Sequence, residues 1–74
     1  MIPDAHIINI IQSNYMTEFV DGKAIFRPAV QFLMLNFNNR IELKEIIIEA
    51  ESKEKALEIF VVRFRETLKE IENG

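Results

Sequence analysis

A stripe of six apolar residues near the C-terminus is the feature that most restricts how this chain can fold. Its members follow one another at steps of three or four residues with one adjacent pair: Leu57, Phe60, Val61, Phe64, Leu68 and Ile71. That spacing places all six on one face of an α-helix. Ser52 is a suitable N-cap, and Glu54 stands in the first turn, where the helix dipole favours an anion. The sequence therefore predicts a helix over residues 52–72.

The segment before this helix, residues 40–50, predicts a β-strand. Apolar and charged residues alternate at its start, and the isoleucine run 46–48 is β-branched, as is typical of strands. The alternation is interrupted at Lys44 and Glu45, which we interpret as a β-bulge. A continuous helix over residues 41–72 is the alternative.

Asp21-Gly22 is a strong signal for a two-residue hairpin turn. The turn would pair residues 15–20 with residues 23–27. One face of this hairpin would be mostly apolar: Tyr15, Thr17, Phe19, Ala24 and Phe26. The other would mix apolar and charged residues: Met16, Glu18, Val20, Lys23, Ile25 and Arg27. This division favours the hairpin, and a helix that ends at Gly22 is the alternative.

Residues 29–37 predict a further strand, which would pair with residues 40–50 across an Asn38-Asn39 turn. A short helix with Pro28 at its first position is the alternative. In the first segment, residues 3–14, polar side chains recur every three positions, and this spacing favours a short helix. Its four isoleucines favour a strand instead.

Composition excludes several classes of chemistry. The chain has no cysteine, so it forms no disulfide and no thiolate metal site, and it has a single histidine, His6. Its only glycines, Gly22 and Gly74, cannot build a phosphate-binding loop. No nucleophile–base pair stands out, and paired glutamates on the predicted C-terminal helix are typical of a solvated face. We therefore expect no catalytic residues, no metal, no cofactor and no small-molecule substrate.

Length and apolar runs set the organisation and the expected location. At 74 residues the chain is predicted to be a single domain, residues 1–74. No apolar run approaches the roughly 20 residues of a membrane span, and the N-terminus lacks the basic start of a secretory signal. We therefore expect a cytoplasmic protein without a membrane segment. The frequent use of Ile, Asn and Lys fits an AT-rich genome such as that of a virus.

The first half of the chain is poor in charge and rich in apolar residues. Residues 1–37 carry five charged residues, whereas residues 38–74 carry sixteen. The predicted strand 29–37 is apolar on both faces, with Leu33, Leu35 and Phe37 on one of them. One long helix covers one face of a sheet, so the other face needs the N-terminal segment or another chain. We predict that Leu33, Leu35 and Phe37 lie in a protein interface.

The C-terminal helix carries a second candidate contact. Ile59 and Val62 fall near the side of the helix opposite the apolar stripe, at i and i+3. A helix that lies on one sheet is expected to be polar there, so we predict that this pair is covered by a second subunit or by another protein.

Basic residues support an alternative function. Lys23, Arg27 and Arg40 lie near predicted strand ends with aromatic residues nearby, an arrangement that can neutralise phosphates and stack bases. The chain has 9 basic and 12 acidic residues, and the resulting charge of −3 argues against this reading.

The sequence as a whole predicts an α+β fold. We expect an antiparallel meander of about four strands, a long C-terminal helix packed on one face, and a short N-terminal helix or strand. The predicted function is that of a non-enzymatic protein-interaction module, either a homodimer or an accessory, regulatory subunit. The alternative is a small protein that binds single-stranded or regulatory nucleic acid.

Overall fold

A computed structural model describes residues 2–35 and 38–73, and the α+β fold is confirmed. The described residues form two helices and five strands: α1 (Asp4–Asn14), β1 (Tyr15–Val20), β2 (Lys23–Pro28), β3 (Phe32–Met34), β4 (Arg40–Glu42), β5 (Ile46–Glu49) and α2 (Lys53–Asn73). Three antiparallel strands make one sheet in the order β1-β2-β5, and β3 and β4 form a separate two-stranded sheet.

The N-terminal segment is a helix, and the alternative strand is wrong. The polar residues spaced three apart, His6, Asn9 and Gln12, are all exposed. Ile7 and Ile11 are completely buried on the other side. The isoleucines therefore serve as the apolar face of an amphipathic helix, because burial outweighs their intrinsic preference for strands.

Helix α2 follows the predicted stripe. The Ser52 hydroxyl accepts a hydrogen bond of 3.1 Å from the backbone N–H of Lys55, which confirms the N-cap. Phe60, Phe64 and Leu68 are buried on the sheet side. The alternative of a helix over residues 41–72 is wrong, because β4 and β5 occupy part of that range.

The turn at Asp21-Gly22 fixes the first hairpin. Both residues have positive φ, 51° for Asp21 and 74° for Gly22, as a type I′ turn requires. Six residue pairs run from Val20↔Lys23 to Tyr15↔Pro28 without interruption. The predicted division between the two faces of this hairpin is confirmed, because Tyr15 is buried on one face and its neighbour Met16 is exposed on the other.

Hydrogen-bonded and non-hydrogen-bonded pairs alternate along this ladder. Val20 and Lys23 flank the two-residue turn and therefore form a hydrogen-bonded pair. The bond of 2.9 Å from the Ala29 N–H to the Asn14 carbonyl continues the same alternation at the far end. It follows that the odd-numbered residues of β1 direct their backbone N–H and C=O groups away from β2.

Pro28 ends the pairing between β2 and β5. On the β5 side of β2, the Ala50 N–H donates a bond of 3.0 Å to the Gly22 carbonyl. Because every second residue of β2 bonds to β5, Phe26 is one of the residues that do so. The next residue to bond would be Pro28, which has no N–H to donate. The predicted single strand 40–50 is therefore wrong, since it divides into β4 and β5 in different sheets. The interruption at Lys44 and Glu45 is this division and not a simple bulge.

The second hairpin has a different register from the predicted one. Met34 pairs with Arg40, and the Leu35 N–H donates a bond of 2.9 Å to the Asn39 carbonyl. A two-residue Asn38-Asn39 turn would instead pair Phe37 with Arg40, so the predicted turn is wrong. The strand is residues 32–34 rather than 29–37, and Phe37 lies outside the described residues.

Both helices lie on the same side of the three-stranded sheet. The buried residues of α1 and α2 form one core with those of the strands: Ile7, Ile11, Tyr15, Ala24, Phe26, Leu43, Ile48, Ala56, Phe60, Val61, Phe64 and Leu68. Phe60 lies at its centre, with ring centroids 4.7 Å from Phe26 and 5.1 Å from Tyr15 in edge-to-face geometry. An ion pair between Asp4 and Arg65 joins the two helices at the surface.

Candidate protein-interaction surfaces

One face of the three-stranded sheet points away from both helices, and we call it the outer sheet face. It comprises the alternate residues of the three strands: Met16, Glu18, Val20, Lys23, Ile25, Arg27, Ile47 and Glu49. Three of its four apolar side chains are open to solvent, since Met16 is 63% exposed, Ile47 55% and Val20 44%. The fourth, Ile25 of the central strand, is half-buried. No segment of residues 2–35 or 38–73 covers this face, on which exposed apolar side chains alternate with charged ones.

The charged residues of the outer sheet face compensate one another. The Arg27 guanidinium donates a hydrogen bond of 2.8 Å to the Glu18 carboxylate, and both side chains are about half exposed. This bond, together with the negative charges of Glu18 and Glu45, raises the pKa of Arg27. Lys23 lies opposite Glu49 in the register. The face is therefore close to neutral, and its cations each have an acidic neighbour.

The two-stranded sheet has an exposed apolar face of its own. Phe32 and Met34 point outward and are 37% and 63% exposed. The guanidinium carbon of Arg40 lies 4.4 Å from the centre of the Phe32 ring, within the range of a cation–π contact. This face is smaller than the outer sheet face and is partly covered by its own arginine.

A mainly apolar groove lies between the two-stranded sheet and the helices. Its volume is about 550 Å³, and its lining includes Ile10, Leu33, Leu35, Leu68 and the imidazole-bearing His6. The size falls within the usual range for small-ligand pockets. Met34 and Asn39 of the second hairpin also line the groove.

The predicted contact at Ile59 and Val62 does not form a shared exposed patch. Val62 is 59% exposed, as expected, but Ile59 is half-buried and packs against the core. A lone exposed valine needs no partner to explain it.

The predicted interface at Leu33, Leu35 and Phe37 is wrong for the two of these residues that the structure describes. Leu33 and Leu35 are half-buried and pack against the core, where they line the groove, and Phe37 is outside the described residues. The outward residues are instead Phe32 and Met34. The sequence could not choose between the two faces, because the strand is apolar on both.

The basic residues predicted for nucleic-acid binding do not form a common patch with free charges. Arg27 is paired with Glu18, Arg40 lies over Phe32, and Lys23 stands opposite Glu49. Lys23 and Arg27 belong to one sheet and Arg40 to the other. Nucleic-acid binding stays a prediction that this geometry does not favour.

The outer sheet face was visible in the sequence only in part. Its residues alternate with core residues along the predicted hairpin, which identifies them as one face. The sequence does not show that the N-terminal helix leaves this face open, because a helix of that length fits either side of the sheet.

In the part of the chain that the structure describes, no three acidic, histidine or cysteine side chains are grouped as a metal ion requires. Neither of the two described helices is long and apolar enough to cross a membrane.

Comparison of the chain with protein-family models, with curated proteins and with solved structures found no match.

Proposed function

We propose that this chain is a non-enzymatic protein-interaction module that binds through the outer sheet face. The observation that carries the proposal is the exposure of Met16, Val20 and Ile47 on a face that neither helix covers. Exposed apolar side chains mark protein-binding sites, and such sites as a whole mix apolar with polar groups, as this face does with the compensated charges between its apolar residues. Binding would act by occlusion or by scaffolding, either between copies of the chain or as an accessory, regulatory subunit.

The energetic argument is one of desolvation. Each square ångström of apolar surface that a partner removes from water contributes about 25 cal/mol before the costs of association. Because Glu18 and Arg27 already neutralise each other, a partner could cover them without leaving an unpaired charge. We place this function in the cytoplasm, because a chain without cysteine has no disulfide bond that the reducing conditions there would break.

An acidic substitution on the outer sheet face tests the proposal. Ile47→Glu places a charge on the apolar part of this face, opposite Ile25 in the register. Val62→Glu is its matched control, because Val62 is exposed to nearly the same extent, 59% against 55%, on a different side of the molecule. Tagged wild-type chain and both variants would be used to recover binding proteins from a native lysate, and each variant would first be checked by circular dichroism. We expect Ile47→Glu to lose the recovered partners and Val62→Glu to retain them.

Two results would contradict this proposal. If Ile47→Glu retains every partner that the wild type recovers, the outer sheet face is not the interface. If Val62→Glu alone loses them, the contact lies on α2, as the sequence predicted for Ile59 and Val62.

A further inference from the structure

We propose that a second copy of this chain pairs with the free edge of β1, antiparallel and about a two-fold axis at Thr17. The two sheets would then join into one of six strands, with their outer sheet faces side by side. The inference extends the proposed function by naming a partner and the strand that it contacts, and it can fail while binding at the outer sheet face stands.

The β1 edge has unused backbone hydrogen-bonding groups. Thr17 and Phe19 are in non-hydrogen-bonded pairs with β2, so their N–H and C=O groups point outward. In residues 2–35 and 38–73 no backbone hydrogen bond outside the sheet involves either residue. An exposed row of this kind is a template for another strand.

The β1 edge also lacks the usual protection against pairing. Its six residues contain no proline, no glycine and no lysine, and the ladder to β2 has no bulge. Its one charged residue, Glu18, points to the outer sheet face and is bound to Arg27. Nothing on this strand therefore repels a second strand.

Self-pairing about Thr17 gives a compatible set of cross-strand neighbours. Thr17 would face Thr17 of the second copy, Tyr15 would face Phe19, and Met16 would face Glu18. Threonine pairs and aromatic pairs are both favourable across strands, and no like charges meet. A register centred on Glu18 would place two glutamates directly opposite each other, which disfavours it.

The available donors set the number of bonds in this register. The Tyr15 N–H is already used, since it donates to the Ile11 carbonyl at the end of α1. The two Thr17 residues would exchange two bonds, and each Phe19 N–H would donate to the Tyr15 carbonyl across the axis. Four backbone bonds would therefore join the two strands.

The other edge of the sheet, β5, does not offer the same complementarity. It has four residues against six, and its outward backbone groups belong to Ile47 and Glu49. Antiparallel self-pairing about Ile47 would place Glu45 opposite Glu49 of the second copy, twice by symmetry. Like charges directly opposite are destabilising. Charge complementarity therefore selects β1 rather than β5 for the second copy.

Single cysteines test this geometry directly, because the chain has none of its own. Thr17→Cys places two thiols on the two-fold axis with Cα atoms about 5.5 Å apart, within the range of a disulfide. We expect this variant to form a disulfide-linked dimer under mild oxidation. Ile47→Cys is the matched control on the β5 edge and is expected to remain mostly unlinked. Linkage of Ile47→Cys but not of Thr17→Cys would overturn the inference.

Sedimentation gives a second test without cysteine chemistry. Thr17→Pro removes the outward N–H but no bond to β2, and proline is tolerated on edge strands at such positions. We expect the wild type and Thr17→Val to sediment as dimers at micromolar concentration and Thr17→Pro as a monomer. If Thr17→Pro fails to fold, the comparison of disulfide linkage between Thr17→Cys and Ile47→Cys tests the inference instead.

A wild type that remains a monomer up to the millimolar range would overturn the inference, as would a Thr17→Pro variant that still forms dimers. A monomeric wild type whose partner recovery depends on Thr17 would show that a foreign strand occupies the edge instead. None of these results alters the comparison of Ile47→Glu with Val62→Glu, so the two proposals fail independently.

Discussion

The two faces of the three-stranded sheet are built from neighbouring residues yet have opposite environments. In β5, Ile48 is 3% exposed and Ile47 is 55% exposed, although both are isoleucines. Ala24 and Phe26 of β2 are buried, whereas Ile25 between them is only half-buried. The difference arises because α1 and α2 both pack on the inner face. Folding of a single chain thus accounts for the apolar residues of the inner face, but it does not account for those of the outer sheet face.

Phe60 should show the largest effect, because it joins the inner face to α2. Phe60→Ala removes a ring that is 1% exposed and contacts Phe26, Tyr15 and Phe64. We expect it to lower the free energy of unfolding by about 3–5 kcal/mol. Val62→Ala, on the exposed side of the same helix, should change it by no more than about 0.5 kcal/mol. Urea denaturation followed by circular dichroism measures both, and similar losses would contradict the burial assigned to the two residues.

The pair Ile47 and Ile48 compares the two faces within one strand. Ile48→Ala should cost about 2–5 kcal/mol because it leaves a cavity in the core. Ile47→Ala should cost less than about 1 kcal/mol, the range of strand propensity on an open surface. The measurement is again urea denaturation, at a concentration low enough to exclude association. A large loss for Ile47→Ala would mean that the outer sheet face is covered in the folded chain.

The turn at Gly22 decides which residues reach which face, because a slip of one residue would exchange the inner and outer sets. Gly22→Ala should cost about 1–2 kcal/mol, the penalty of a side chain in a left-handed conformation. Its φ is 74°, and a Cβ would meet the Ala50 carbonyl oxygen only at an ordinary 3.9 Å, so crowding adds nothing. Asp21→Asn is the control, since asparagine tolerates the same conformation and should leave the free energy of unfolding nearly unchanged. Equal losses for the two variants would contradict this account.

Local signals explain why much of this fold could be predicted from the sequence. The stripe of α2, its Ser52 cap and the Asp21-Gly22 turn are set by neighbouring residues, and all three are confirmed. The break between β4 and β5 depends on Pro28, which is distant in sequence but adjacent across the ladder. The phase of hydrogen bonding at Pro28 follows only after the register with β5 is known, so the sequence alone could not place the break.

The candidate interface was harder to predict for a similar reason. Periodicity assigns residues to faces but does not say which face another element covers. Leu33 and Leu35 were predicted to face a partner, but they pack against the core and line the groove that the second hairpin forms with the helices. The β1 and β2 residues of the outer sheet face were assigned to one side correctly, but their exposure depends on where α1 packs, which no local pattern encodes.

The smallest expected effect concerns Tyr15, the one tyrosine of the chain, whose side chain lies at the edge of the inner face. Burial raises the pKa of the Tyr15 hydroxyl above its ordinary value of 10.0, because the ionised form would lose hydration. At higher pH the unfolded chain releases this proton first. The stability that the neutral hydroxyl contributes is therefore fully present below about pH 10 and is lost as the pH rises through the folded pKa.

Urea denaturation of the wild type and Tyr15→Phe at pH values on either side of 10 measures this contribution, and the tyrosinate absorbance of the native protein reports the pKa itself. Subtracting the variant removes the effect of the lysines, which titrate in the same range in both proteins. We expect the wild type to lose more stability than Tyr15→Phe as the pH rises. Equal losses would show that Tyr15 is as hydrated in the folded chain as in the unfolded one, and the separation between a covered inner face and an open outer sheet face would then fail at β1.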